Sequence, residues 1–309
     1  MLLIVQFTMR YNSLNSYLKE KFGYKIYKLA LSGGLSCPNR DGTISTGGCI
    51  FCSNGGSGEF ATSCNYSITE QIEMAKERVS TKIKNGKYIA YFQSFTNTYG
   101  NVDYLEKIFT EAINHPDIVC LSIGTRPDCL PDDVIDLLNR LNKIKPVWIE
   151  LGLQTIHEDT ATYINRGYTL NIFDDAVSKL NAIGVEVIVH LILGLPYETE
   201  SDILESISYV CNKPISGIKL QLLHILKNTP LEKEYLLNKF HVFSLEEYTT
   251  LLGKCICTIP KNIVIHRITG DGPKSLLIAP QWSADKKRVL NYINKYFQEH
   301  DIIQGKKLQ

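Results

Sequence analysis

The 309-residue sequence predicts an α/β fold with a parallel sheet, and three observations carry that prediction. Six extended, largely apolar segments alternate with helical segments, the rhythm of βαβ units. Right-handed crossovers wind such units consistently, into either an open doubly wound sheet or an incomplete barrel. The residues capable of chemistry gather just after the extended segments, where both architectures bind ligands.

In chain order, "YNSLNSYLKEKFG" reads as an opening helix. "YKIYKLALS" (24–32) is the first strand, leading into a loop with three cysteines. The helix at 68–84 has Thr69 as its expected N-cap, and "KYIAYFQSF" (87–95) is the second strand. A helix at 101–114, a strand at 117–125 and a helix at 131–142 with Pro131 near its first turn continue the pattern. "PVWIELGLQT" (146–155) is the fourth strand. A helix at 171–184 ends at Gly184. The apolar run from 185 to 194 carries Glu186 and His190, so it fits a buried strand and not a membrane span. A helix at 198–211 and a sixth strand at 216–226 follow. From residue 229 the rhythm changes: helices at 231–239 and 244–258, a short strand at 262–269, the loop "GDGPKSLLIAPQW" and a terminal helix at 283–298. This divides the chain into an N-terminal extension and helix (1–23), the barrel-like core (24–228) and an extension packed on that core (229–309).

The length exceeds the usual single-domain prior, yet single α/β barrels run to about 250 residues or more. At 44% hydrophobic residues the chain fills a large core, and 33 basic against 32 acidic residues leave a net charge of +1. That balance excludes a strongly basic nucleic-acid binder but leaves room for a local basic face. "MLLIVQFTMR" is too short to span a bilayer and has no basic segment before it, so neither a signal peptide nor a membrane partner is expected. Its first eight residues read as an upstream extension or an edge strand, with Met9 an alternative start. Nine cysteines fall far short of a disulfide scaffold, and a reducing, cytoplasmic location is the expectation.

Three of those cysteines, Cys37, Cys49 and Cys52, share the loop "LSCPNRDGTISTGGCIFCSN" (35–54). Clustered thiols in a reducing compartment point to metal or catalysis. The options are zinc, an iron–sulfur cluster, a redox dithiol or inert cysteines, and Cys64 would complete a four-thiol zinc site. Three thiolates alone would leave one iron of a [4Fe–4S] cluster without a protein ligand, where chemistry can occur. Gly42, Gly47 and Gly48 let the backbone turn tightly there.

The ordered series "FGYKIYKLALSGGLSCPNRDGTISTGGCIFCS", "YFQSFTNTY", "SIGTRPDCLPDDVIDLL", "WIELGLQT", "NRGYT", "HLILGLPYET" and "TGDGPKSLLIAPQWSADK" resembles the radical S-adenosylmethionine (SAM) superfamily. Within it the chain looks like the YhcC/YtqA-type group, related to the Elongator catalytic subunit. The likeness covers nearly the whole chain from about Tyr11, and the long Cys37–Cys49 spacing agrees with this group. It implies an incomplete (β/α)6 TIM-like barrel with a C-terminal α/β extension. It also implies a [4Fe–4S] cluster on Cys37, Cys49 and Cys52, with SAM chelating the fourth iron. Reductive cleavage of SAM would then yield a 5′-deoxyadenosyl radical, with an electron donor such as flavodoxin or ferredoxin as partner.

The resemblance places SAM against Gln93, Ser94 and Thr96, where relatives carry a glycine-rich motif, and against Gln154, Arg166 and His190. Phe51 would shield the cluster, and the backbone of "GLP" (194–196) would pass under the adenine. Strand alternation puts Glu150, Gly152 and Gln154 on one face, with Ile149, Leu151 and Leu153 packing outward. A buried Glu150 needs a partner or a ligand. Glu150, Arg126 and Lys219 are the catalytic candidates, with Asp128 a possible ion-pair partner for Arg126. Lys219, Gln221 and His224 are expected to share a substrate-facing side of the sixth strand. Cys120, Cys129, Cys211, Cys255 and Cys257 read as core thiols and Cys64 as a bystander.

Kinship with the Elongator catalytic subunit, which works on wobble uridine, points to tRNA as substrate. Members of the group are linked to converting 5-carboxymethylaminomethyluridine toward 5-aminomethyluridine. The acetyltransferase domain of the larger relative is absent from this sequence, so acetyl-CoA chemistry is not expected. Residues 76–87 carry five basic side chains and one acidic, and Lys286, Lys287 and Arg288 add a second basic group. Such patches suit phosphates. The alternatives are a radical SAM enzyme for a small molecule or a protein, and a zinc-stabilised binding module.

Overall fold

The computed structural model describes residues 10–56, 58–83, 86–270 and 272–308. The readings of the first eight residues and of Met9 as a start lie outside the described residues.

Seven strands form one parallel sheet: β1 (Ile26–Leu31), β2 (Lys87–Phe92), β3 (Ile118–Thr125), β4 (Val147–Gln154), β5 (Glu186–Leu193), β6 (Gly217–Leu222) and β8 (Val264–Arg267), in that spatial order. The sheet curls into a half-barrel whose unpaired edges are β1 and β8. The six expected units are present, and β8 adds a seventh strand beside β6, so the extension lengthens the sheet as well as covering it. The segment expected as one strand to residue 226 breaks after Leu222. There β7 (Ile225–Leu226) leaves the barrel to pair antiparallel with β9 (Leu277–Ala279).

The crossovers run through α2 (Ile68–Val79), α3 (Val102–Asn114), α4 (Asp132–Asn142), α5 (Glu158–Tyr163) with α6 (Leu170–Ala182), and α7 (Glu200–Cys211). After β7 come α8 (Pro230–Leu236), α9 (Leu245–Thr258) and α10 (Lys286–Glu299). Ser67, not Thr69, caps α2: its hydroxyl accepts the Glu70 amide while the Glu70 carboxylate accepts the Ser67 amide. That reciprocal pair needs the acid at the third helical position, which Ser67 has and Thr69 lacks. α3 shows how the helices dock, burying Leu105, Ile108, Phe109, Ala112 and Ile113 on one stripe. Each large side chain of that kind contributes about 1.5–3 kcal/mol.

Outward positions of the strands, including Ile149, Leu151 and Leu153, join the main apolar cluster, which also takes Val289, Ile293 and Phe297 from α10. A second layer closes the amino end of the half-barrel. There α1 (Leu14–Phe22) brings Leu18 against Ile26, Ile89, Cys120, Trp148 and Ile188, inward residues near the starts of five strands. The interior is therefore apolar at the amino end and open at the carboxyl end. No helix among the described residues is long and apolar enough to cross a membrane.

Candidate functional site

The cysteine loop leaves β1 at the open end. The amides of Arg40 and Asp41 bond the Cys37 carbonyl, and the Cys52 amide bonds the Cys49 carbonyl, so Cys37 and Cys49 each open a tight turn. Gly48 has φ 82°, and a Cβ there would lie 2.8 Å from Arg40 Nε. Arg40 needs that space: its guanidinium donates to the carbonyls of Cys52 (3.0 Å) and Ser53 (2.5 Å) and sits 5.5 Å from the Phe95 ring centre. Buried Asn39 donates to Cys49 Sγ (3.6 Å) and to the Asn165 carbonyl, tying the loop to the turn after α5.

Cys37, Cys49 and Cys52 line one cavity of about 210 Å³. Burial, reinforced by Cys52, pushes the Cys49 thiol up to about 12, against the pull of Arg126. Burial also raises Cys52, against Arg40. Gln93, Thr96, Gln154 and His190 line the same cavity, as do Arg126, Glu150, Lys219, Gln221 and His224. Gln154 ends β4 at φ 68°, where the register with β5 slips between Gly152 and Gln154. A non-glycine residue rarely adopts that conformation, and here it accompanies a bulge at the rim of the site.

At the floor, Glu150 is only 1% exposed. It accepts from Lys28, Lys219, Ser122 (2.7 Å) and His190 Nε2 (2.9 Å). Burial raises its pKa, but Lys219, Lys28 and the His190 bond outweigh this and hold the carboxyl well below its usual range. Burial lowers Lys219 to about 7 in spite of Glu150, with Lys28 and Arg267 adding to the fall. His190, driven to about 4 by burial and Lys219, is neutral at pH 7. A neutral imidazole donating from Nε2 leaves Nδ1 as an acceptor. The Tyr91 hydroxyl lies 3.2 Å from Lys219 Nζ. His190, Lys219 and Arg267 are register partners on β5, β6 and β8.

A second cavity of about 950 Å³ opens at the side of the half-barrel, between β1 and β8. It shares Tyr91, Gln93, Lys219, Arg267 and Gly272 with the thiol cavity.

Comparison with known proteins decides the family. A model described as the radical SAM superfamily matches residues 41–210, and one described as the radical SAM C-terminal domain matches 215–299. The chain belongs to the radical SAM superfamily. It is 46% identical to the uncharacterized protein YtqA of Bacillus subtilis, covering 97% of this chain and 93% of that one. It is 24% identical to Elongator complex protein 3 of mouse, over 59% of this chain and 32% of that one. The structure of Elp3 from Methanocaldococcus infernus superposes with a TM-score of 0.69 at 16% identity, over 90% of this chain and 64% of that one. That likeness is one of fold.

Radical SAM enzymes use a [4Fe–4S] cluster and SAM, and the thiol cavity fits that cluster. Zinc with Zn–S bonds of ~2.3 Å would hold its sulfurs about 3.8 Å apart. Among the described residues two groups of three ligand atoms lie within 4.8 Å of one another, Glu73/His115/Asp117 and His157/Asp202/Glu205. The three loop sulfurs are not such a group, which suits a cluster better than one ion. Cys64 is exposed and lies outside the cavity wall.

Two expected SAM contacts sit elsewhere. Arg166, 1% exposed, gives its guanidinium to the carbonyls of Thr155 (2.6 Å), Tyr168 (3.0 Å) and Leu153 (3.4 Å) and to Glu158 (3.2 Å). Those bonds hold the turn after β4 and keep the side chain off the cavity. Ser94 is buried, its hydroxyl packed against Gly58. Arg126 lines the cavity but is committed to Asp128 through paired bonds of 2.9 and 2.6 Å and to the Arg166 carbonyl (2.8 Å). Phe51 both lines the cavity and packs on the apolar cluster of Ile164 and Leu231. Cys211 is half-buried, while the other four expected core thiols are buried.

Lys76 and Lys87, from the basic stretch, lie at the closed end. Lys76 pairs with Glu73 and Asp117, and Lys87 with Asp117, beside the first residues of β2 and β3. Lys28, Tyr91, Arg267, Arg40 and Asn39 were not singled out by the sequence. A lysine inside an apolar strand was the available signal for Lys28.

Proposed function

We propose that this radical SAM enzyme modifies the wobble uridine of tRNA, in side-chain processing of the 5-carboxymethylaminomethyluridine to 5-aminomethyluridine type. The observation that carries the reading is the junction of the two cavities, which gives a bulky substrate a lateral route to the thiol loop. Likeness to Elongator complex protein 3 supports the choice of tRNA. When bound, the cluster and SAM supply a 5′-deoxyadenosyl radical able to abstract hydrogen from an unreactive C–H bond.

The chain's own residues divide the remaining work. Cys37, Cys49 and Cys52 hold the cluster, with an electron donor of the flavodoxin or ferredoxin type as partner. Gln93 and Thr96 after β2, Gln154 at the end of β4 and His190 within β5 offer polar groups to SAM. Glu150 stays ionised as the counter-ion of Lys28 and Lys219, which makes it a poor proton acceptor. Lys219, near 7, can hold or release a proton at Nζ. Unpaired thiols and a cluster of this kind suit a reducing cytoplasm.

Nucleoside mass spectrometry of tRNA from cells with and without the gene tests the substrate. Accumulation of the carboxymethylamino form in the deletion strain is expected. An unchanged wobble-uridine profile would exclude tRNA and leave a small molecule or a protein as substrate.

A further inference from the structure

We propose that the side cavity is the substrate port and seats an oxyanion of the substrate between Lys274 and Lys286 at its mouth and Arg267 and Lys219 within. The anion could be an RNA phosphate or a group on a free small molecule. The tRNA reading above selects RNA, and only that choice of source rests on it.

Five cations stand in the wall, Lys28, Lys219, Arg267, Lys274 and Lys286, and no carboxylate stands there among the described residues. Glu150 sits behind Lys28 and Lys219 as their shared counter-ion. Asp271 lies outside the described residues. Counting both acids in full and Lys219 as neutral still leaves two positive charges around about 950 Å³. The cations are graded from solvent inward. Lys274 and Lys286 are exposed, while the side chains of Lys28 and Lys219 are 17% and 5% exposed. Low-dielectric walls around one sign of charge focus the field on an entering ion of the other sign.

Groups inside already register the crowding. Lys219 is brought down by burial, with Lys28 and Arg267 adding to it, and His266 by burial and Lys28. His266 Nδ1 is buried without a hydrogen-bond partner. An anion in the port relieves each of these. Tyr27 and Phe60 add aromatic faces to the wall, Phe60 52% exposed. Such faces stack unpaired bases. The volume lies near the top of the ~300–1,000 Å³ range of small-ligand sites. It can admit one nucleotide drawn out of its stack, as chemistry on a base requires.

The test is binding of a fluorescent anticodon stem-loop to the reconstituted holoenzyme across a salt series. The variants are Lys274→Glu and Lys286→Gln, with Lys143→Glu at the C-terminal end of α4, beside the middle of the sheet, as control. The cluster absorbance near 400 nm checks that each variant is intact. The expected result is about tenfold weaker binding for each port variant. The slope of log affinity against log salt should fall by about one per lost phosphate contact, with Lys143→Glu unchanged. If the stem-loop binds and neither port variant weakens it, RNA stands as substrate and the port is refuted. If the stem-loop does not bind but uridine monophosphate or inorganic phosphate does, and Lys274→Glu abolishes that, the anion seat stands and the RNA source is refuted. If none of these probes binds, the proposal fails.

Discussion

Glu150→Gln is the most informative single change in the floor of the half-barrel. Glu150 is 1% exposed and accepts from two lysines, a serine and a neutral histidine. Glutamine keeps the shape but removes the only negative charge in that group, and its amide points two donors at cations. Removing one partner of a buried pair costs about 3–5 kcal/mol, because the other charge stays buried and uncompensated. Lys28, 17% exposed, has some access to water, while Lys219, 5% exposed, has little. Lys219, near 7, can also shed its proton once Glu150 is gone, so the lower figure, about 3 kcal/mol, is expected. Lys219→Met leaves Glu150 with Lys28, Ser122 and His190, so about 1–2 kcal/mol is expected there. The double variant removes both misfit charges and should cost about 2 kcal/mol, leaving a coupling of roughly 2–3 kcal/mol. The assay is anaerobic urea unfolding of the apoprotein at pH 7, followed by circular dichroism and by the combined fluorescence of Trp148, whose ring lies 5.4 Å from Lys28 Nζ, and Trp282. Additive single effects, or a Glu150→Gln cost below about 1 kcal/mol, would refute the assignment of Glu150 as a buried counter-ion.

Cys49→Ala should abolish the absorbance near 400 nm after anaerobic reconstitution while far-ultraviolet circular dichroism is retained, and Cys64→Ala should keep both. Metal loss in the Cys64 variant alone would mean that the wrong three thiols were chosen. His190 has a folded pKa of about 4, below its ordinary 6.5, so its contribution to stability is complete above pH 6.5 and disappears as pH falls toward 4. The loss is about 1.4 kcal/mol per pH unit inside that window. Urea midpoints at pH 6.5 and 5.5 should therefore converge in His190→Gln relative to the parent, and parallel profiles would contradict the buried neutral imidazole. Gly167→Ala puts a Cβ 2.8 Å from Asn39 Oδ1 at φ 81°, so it should destabilise by about 1–3 kcal/mol and slow cluster loading. Loading kinetics equal to the parent's would show that the Asn39 tie is dispensable.

The parts of the site that were legible in sequence follow strand periodicity. Glu150, Gly152 and Gln154 alternate with Ile149, Leu151 and Leu153, and the two sets lie on opposite faces, one in the cavity and one in the core. Lys219 and Gln221 obey the same rule on β6. What periodicity does not carry is partnership. Nothing near Glu150 in sequence names Lys28, 122 residues away, because only closure of the sheet brings β1 toward β4. Arg166 and Ser94 sit inside recognisable motifs, yet hydrogen bonding and packing to their own loops use up the groups expected to meet SAM. The basic run 76–87 illustrates the same limit from the other side. Its composition suits phosphate, but Glu73 and Asp117, outside the run, neutralise Lys76 and Lys87 at the closed end.

The seventh strand explains why the interior can be so heavily charged. A closed eight-stranded barrel fills its interior with side chains. Here the inward positions at the amino end are filled in that way, by Trp148, Ile188 and Cys120 under α1. Above them the sheet stops at β8, and the opening between β8 and β1 is the side cavity. β8 places Arg267 in register with Lys219 and His190, extending a polar row across three strands to the edge of the opening. Lys28 approaches the same row from the opposite edge strand and meets it at Glu150. One carboxylate thus holds together a cation from the edge strand β1 and one from β6. A charge that would be a liability in a closed core here fixes the floor of a solvent-connected cavity, and the cations above it line the opening between β8 and β1.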